Sequence, residues 1–155
     1  MVNSGNDDCL KWVTCGIFMT AICTLIFPIA VSASACFDQA AQRYNVSPQL
    51  LQAIAQQESG GRATALHHNP NGSRDIGLMQ INSAWLPALK RHGIHEADLL
   101  DPCVSTLVAA WILSHNFARL GYTTQGLGAY NATTPWKRER YAQQVLKRLT
   151  PTPPI

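Results

Sequence analysis

The 155-residue chain is 46% apolar and only 14% charged, enough apolar material for one core and too hydrophobic for a disordered chain. Twelve Lys and Arg against nine Asp and Glu leave a formal charge of +3. That falls short of the basic footprint of a nucleic-acid binder, so nucleic acid is set aside as a partner.

Residues 1–35 stand apart. Trp12 to Val31 carry no charge over 20 residues, and Ser32-Ala33-Ser34-Ala35 follows. This pattern reads as an export signal whose A-x-A site leaves Cys36 as the first mature residue. An uncleaved membrane anchor and a lipid-modified Cys36 stay open as alternatives, since Lys11 is the one basic residue ahead of the apolar run and 20 residues can span a bilayer. Each reading places residues 36–149 outside the cytoplasm, in the periplasm. Of five cysteines, only Cys36 and Cys103 lie beyond residue 35. An even pair in an oxidising compartment is expected to form a disulfide.

In the exported part, Phe37, Ala40, Ala41 and Tyr44 recur at helical spacing, with Asn45 as a left-handed stop. Ser47 and Pro48 are the cap and first position of a second helix, Gln49 to Ser59, ended by Gly60-Gly61. Residues 62–75 read as loop, and 76–82 as a short irregular or β-like segment. Ser83 to His92 is helical in part, with a break at Pro87 and an end at Gly93. Asp101-Pro102 starts the longest helix, apolar around most of its circumference, which runs through Trp111 to about Leu120. A last helix spans Pro135 to Leu149, with Tyr141, Val145 and Leu149 on one stripe, and residues 150–155 form a Pro-rich tail. With no run of alternating strands, the expected fold class is mainly α in one domain, residues 36–149.

Glu58 is the residue out of place. Leu51, Ile54 and Ala55 form the inward stripe of the second helix, and Glu58 continues that row. A carboxyl aimed at a core resists ionisation and keeps a proton near neutral pH, the state general acid catalysis uses. Spacing alone leaves open a solvated end residue. Seventeen residues on, Asp75 opens a string through Gly77, Gln80 and Asn82 whose amides suit sugar hydroxyl and acetamido groups.

Gln57-Glu58-Ser59-Gly60-Gly61, Gly77-Leu78-Met79-Gln80-Ile81-Asn82 and Ala129-Tyr130-Asn131, in that order, resemble the motifs of the soluble lytic transglycosylase (SLT) family. The resemblance covers nearly all of residues 36–149. It is nearest to the small exported members that accompany type III secretion, type IV pilus and conjugation machines. It implies a lysozyme-like fold that cleaves the β-1,4 bond between N-acetylmuramic acid and N-acetylglucosamine in peptidoglycan, leaving a 1,6-anhydro product. Glu58 matches the catalytic acid. Ser59, Met79, Gln80, Asn82, Tyr130 and Asn131 fall in the motifs that line the sugar cleft. Glu58, Asp75 and the string through Asn82-Ser83-x-Trp85 also resemble the active-site stretch of animal lysozymes, whose hydrolysis uses two carboxylates. Asp75 is then a transition-state stabiliser, or else a turn residue before Gly77.

No His pair has the helical spacing of a zinc site, and no metal or cofactor is expected. His115 and Trp111 read as packing residues. Trp85 and Trp136 pack or stack on sugar faces. The basic last helix is a solvated face or is drawn to the acidic wall polymer. Ser59 lacks the G-x-S-x-G setting of a nucleophile. The expected partners are glycan strands and an envelope-spanning machine, the expected state is a monomer, and the alternatives are a muramidase or a weakly active peptidoglycan-binding assembly factor.

Overall fold

The computed structural model describes residues 33–149; residues 1–32 of the expected export segment 1–35 and the tail from residue 150 lie outside the described residues. Six helices and a small sheet follow in order: α1 (Ala33–Tyr44), α2 (Pro48–Ser59), β1 (Leu66–His68), β2 (Arg74–Ile76), β3 (Ile81–Asn82), α3 (Leu86–Lys90), α4 (Pro102–Leu120), α5 (Thr124–Gly128) and α6 (Pro135–Leu146), with 3-10 turns at Ser83–Trp85 and Ala97–Leu100.

The helix ends follow from local chemistry. Ser47 caps α2 by accepting the Leu50 amide at 3.3 Å, Pro48 occupies its first turn, and Gly60 closes it at φ 62°. Asn45 ends α1 in the left-handed region at φ 52°. Asp101 caps α4 through the Cys103 and Val104 amides at 2.8 and 2.9 Å. α4 runs through the core, where Val108, Ala109, Ala110 and Leu113 are buried, and packs on α1, α2 and α5. From α2, Leu51 and Ile54 are fully buried, each contributing about 2 kcal/mol of apolar transfer. Cys36 on α1 and Cys103 on α4 form a disulfide with Cα atoms 5.1 Å apart, across 67 residues of sequence.

Four sequence expectations need correction. The stretch 62–75 is not all loop: β1 lies within it, β2 begins in it, and β3 completes an antiparallel sheet in the order β1-β2-β3. The strands are two or three residues long, and β1 is exposed throughout, so no apolar alternation marks them. Pro87 does not break a helix but sits in the first turn of α3, where its missing N–H costs nothing. The last helix stops at Leu146, after which Arg148 and Leu149 bond back to Val145 and Leu146 in tighter turns. α5 was not expected at all, since two of its five residues are glycine. They are there for space, because a Cβ at Gly126 or Gly128 would lie 2.3 Å from the Gly121 carbonyl or 2.2 Å from the Arg138 carbonyl.

Register places the site. Ile76 pairs with Ile81, and both are buried against the helices. Asp75 pairs with Asn82 one position away, on the opposite face. The same pleat therefore sends two apolar side chains inward and a carboxylate with an amide outward, toward the open end of α2.

Candidate active site

A cleft of about 560 Å³ lies between the sheet and the helices, with Glu58, Asp75, Asn82, Trp85, Tyr130 and Asn131 among its lining residues. Glu58 enters it from the last turn of α2, as the next member of the buried row Leu51, Ile54, Ala55. The row does point inward, and α6 packs over it. Tyr141 of α6, only 5% exposed, donates its hydroxyl to Glu58 Oε1 at 2.5 Å. Burial pushes the Glu58 carboxyl up, the Tyr141 hydrogen bond pulls it part of the way back, and the negative charge of Asp75 adds to the rise, leaving it at about 7 instead of 4.5. Near neutral pH such a group can both give and take a proton.

Asp75 sits in the opposite kind of setting. Its Oδ1 accepts from Asn82 Nδ2 at 2.6 Å and its Oδ2 from Asn69 Nδ2 at 2.9 Å. Both amides also reach Ser73 Oγ at 3.1 Å. One carboxyl is largely buried and resists charge; the other is held in place by two side-chain amides.

The Gly-Leu-Met-Gln turn between β2 and β3 is fastened at its backbone. Ser59 Oγ lies 2.7 Å from the Leu78 carbonyl, Ser105 Oγ accepts the Met79 amide at 3.1 Å, and Tyr130 donates its hydroxyl to the Met79 carbonyl at 2.8 Å. Gly77 lets the turn press on the Leu99 carbonyl, where a Cβ would lie 1.9 Å from oxygen. Gln80 takes the rare value φ 49°, a strained conformation for a residue with a side chain. There its Nε2 bonds the Gly77 and Ala65 carbonyls at 2.9 and 3.1 Å, and Gln80, like Glu58, borders both the main cleft and a hollow lined by Arg62, Thr64 and His67.

Of the residues expected to meet substrate, Glu58, Asp75, Gln80, Asn82, Tyr130 and Asn131 line the cleft. Ser59 (4% exposed) and Met79 (0%) do not; they act behind it, fixing the turn. Asn82 spends its amide on Ser73 and Asp75 and its oxygen on the Ala84 amide at 2.9 Å, so it orients neighbours. Trp85 is exposed in the cleft and meets Trp111 edge-on at 5.6 Å, and Trp111 is half-buried instead of core. His115 packs against Trp111, with Nδ1 2.9 Å from its carbonyl. Among the described residues, no three His, Cys, Asp or Glu side chains converge as metal ligands.

Sequence reasoning missed Tyr141, Asn69 and Ser73. Tyr141 was legible only as a member of an apolar stripe; its hydroxyl meets a partner 83 residues away. Asn69 and Ser73 were hidden in a segment read as loop.

A largely buried Glu and an amide-held Asp thus line one cleft on a mostly helical frame. The chain matches the transglycosylase SLT domain family over residues 35–148 and belongs to it. By that membership it is a lytic transglycosylase, an enzyme of peptidoglycan. It is 48% identical over 115 residues to invasion protein IagB of Salmonella typhimurium strain LT2, covering 71% of this chain and 72% of that one. To protein IpgF of Shigella flexneri it is 40% identical over 118 residues, 73% of this chain and 78% of that one. The X-ray structure of an inactive mutant of lytic transglycosylase Slt from Pseudomonas aeruginosa superposes with a TM-score of 0.62 at 21% identity, over 77% of this chain but only 24% of that one. This likeness concerns the fold alone, and it agrees with the lysozyme-like, mainly helical architecture expected from the sequence.

Proposed function

We propose that this protein cuts the β-1,4 bond between N-acetylmuramic acid and N-acetylglucosamine by a non-hydrolytic route in which Glu58 serves twice. The protonated Glu58 gives its proton to the glycosidic oxygen as that bond breaks, and the leaving sugar departs with it. The positive charge that develops on the muramic acid ring is stabilised by Asp75, held in place by Asn69 and Asn82. Glu58, now a carboxylate steadied by the Tyr141 hydroxyl, takes the proton of the muramic acid 6-hydroxyl. That oxygen bonds to the anomeric carbon and closes a 1,6-anhydro ring, and Glu58 is protonated again. One carboxyl poised near neutrality suffices for both transfers.

The observation that carries this reading is the placement of Glu58, held by the Tyr141 hydroxyl in a cleft it shares with Asp75, where burial pushes its carboxyl up to about 7. A second reading, hydrolysis by a carboxylate pair, draws on the same Asp75 side chain. Mass spectrometry of muropeptides released from purified sacculi decides between them. Anhydro ends, absent with Glu58→Gln, are expected; reducing ends would establish a muramidase, and equal release by wild type and variant would remove Glu58 from the chemistry.

We place the activity in the periplasm, after export by residues 1–35, and in the service of an envelope-spanning machine. The disulfide supports an oxidising compartment, and a relative named invasion protein IagB supports a role beside such a machine.

A further inference from the structure

Beyond Asn131 the catalytic cleft continues into a second hollow of about 250 Å³, lined by Asn131, Trp136, Lys137, Arg140, Tyr141 and Gln144. Tyr141 joins the two, since its ring borders this hollow while its hydroxyl holds Glu58. The hollow is one side chain away from the acid.

Its charge is not compensated from within the fold. α6 contains a single acidic residue, Glu139, and that carboxylate accepts from Thr124 Oγ1 at 2.6 Å and Gln143 Nε2 at 3.0 Å. Among the described residues Arg140 makes no hydrogen bond or ion pair, and the Lys137 ammonium has only the Trp136 ring, 5.5 Å from its centroid. Trp136 itself is 63% exposed. Two unspent cations beside an open aromatic face make a receptor for a carboxylate carried on a planar, amide-linked group.

The N-acetyl sugars of a glycan strand are neutral. The carboxylates of peptidoglycan are on the peptide stem, which is attached through the lactyl group of muramic acid. We infer that the Trp136–Lys137–Arg140 hollow is a carboxylate-binding subsite for the peptide stem, which selects stem-bearing muramic acid for cleavage. The inference rests on the glycan-cleaving reading of the same cleft and deepens it, because it separates recognition of the stem from recognition of the sugars. Neither the motifs around Glu58 and Gln80 nor the general basicity of α6 distinguishes these two.

The test compares intact sacculi with glycan strands stripped of stems by an amidase and then capped as methylamides at the lactyl carboxylates this hydrolysis frees, using wild type and the double variant Lys137→Gln, Arg140→Gln. Wild type should release product faster from the stem-bearing substrate, and raised salt should narrow the gap. The double variant should lose about tenfold more activity on the stem-bearing substrate than on the stripped one, as expected for losing charge-assisted contacts. Equal losses on both, or none on either, would overturn the subsite. If wild type cleaves neither substrate, it is the glycan-cleaving reading that fails. The subsite is then read from co-sedimentation of the Glu58→Gln protein, with and without the double substitution: stem-dependent retention lost on substitution supports it, and equal retention overturns it.

Discussion

Glu58→Gln keeps an oxygen that can accept the Tyr141 hydroxyl and removes the ionisable proton, so it isolates the energetic cost of holding a carboxyl in this place. In the unfolded chain the group ionises around 4.5; in the fold it does so at about 7. Below pH 4.5 both states are protonated and folding gains or loses nothing from this group. Between 4.5 and 7 the unfolded chain gives up a proton that the fold retains, so wild-type stability falls as pH rises. Above 7 both states are ionised and the full penalty persists. At 1.36 kcal/mol per pKa unit, the difference amounts to about 3 kcal/mol. The Gln variant should therefore match wild type near pH 4 and exceed it by up to about 3 kcal/mol at pH 8, or about 10 °C in Tm for a domain of this size. Urea titrations followed by tryptophan fluorescence at pH 4, 6 and 8 read this directly, because groups common to both proteins cancel in the comparison. A stability difference that does not vary with pH, or a variant weaker than wild type at pH 8, would refute the claim that burial raises Glu58.

Three further outcomes follow from the same site. The rate of product release should fall as pH rises through about 7, and in Asp75→Asn this limb should move to lower pH, because the negative charge that raises Glu58 is gone; turnover should fall as well, while binding of the Glu58→Gln, Asp75→Asn double variant to sacculi persists. Tyr141→Phe keeps the ring but removes the donor that pulls Glu58 down, so its limb should move to higher pH, and a limb that stays put would show that the hydrogen bond does not form in solution. Gly77→Ala drives a Cβ to 1.9 Å from the Leu99 carbonyl at φ 78° and should cost at least about 3 kcal/mol, whereas Gly60→Ala, at φ 62° with nothing within 4 Å, should cost about 1 kcal/mol. Melting curves that rank the two alanines the other way would contradict the packing described for the turn.

What the sequence disclosed depended on how local the cause was. The ends of α2 and α4 were legible because Ser47, Pro48, Gly60, Asp101 and Pro102 act on backbone within one turn of themselves. Glu58 was legible because a carboxyl in an apolar row breaks a periodic pattern. The sheet was not, since strands this short, one of them wholly exposed, bury too few side chains to show a period. α5 was hidden by glycines that the chain keeps for close contact with Gly121 and Arg138. The motif residues were found, but not what each one does. Whether Ser59 faces sugar or the Leu78 carbonyl, and whether Tyr141 fills the core or holds an acid, depends on partners 19 and 83 residues away. No window along the chain contains both members of such a pair.

The bond between Cys36 and Cys103 divides the catalytic cleft along the chain. Glu58, Asp75, Gln80 and Asn82 lie inside the covalent ring it closes, whereas Tyr130, Asn131 and Tyr141 belong to the segment after it. Closing 67 residues removes about 4 kcal/mol of unfolded-chain entropy in the loop-closure model. That constraint acts on one wall of the groove directly and on the facing wall only through packing. A reductant thus frees the segment that carries Glu58 and Asp75 from its tether, while the segment that carries Tyr130 and Tyr141 loses no covalent restraint.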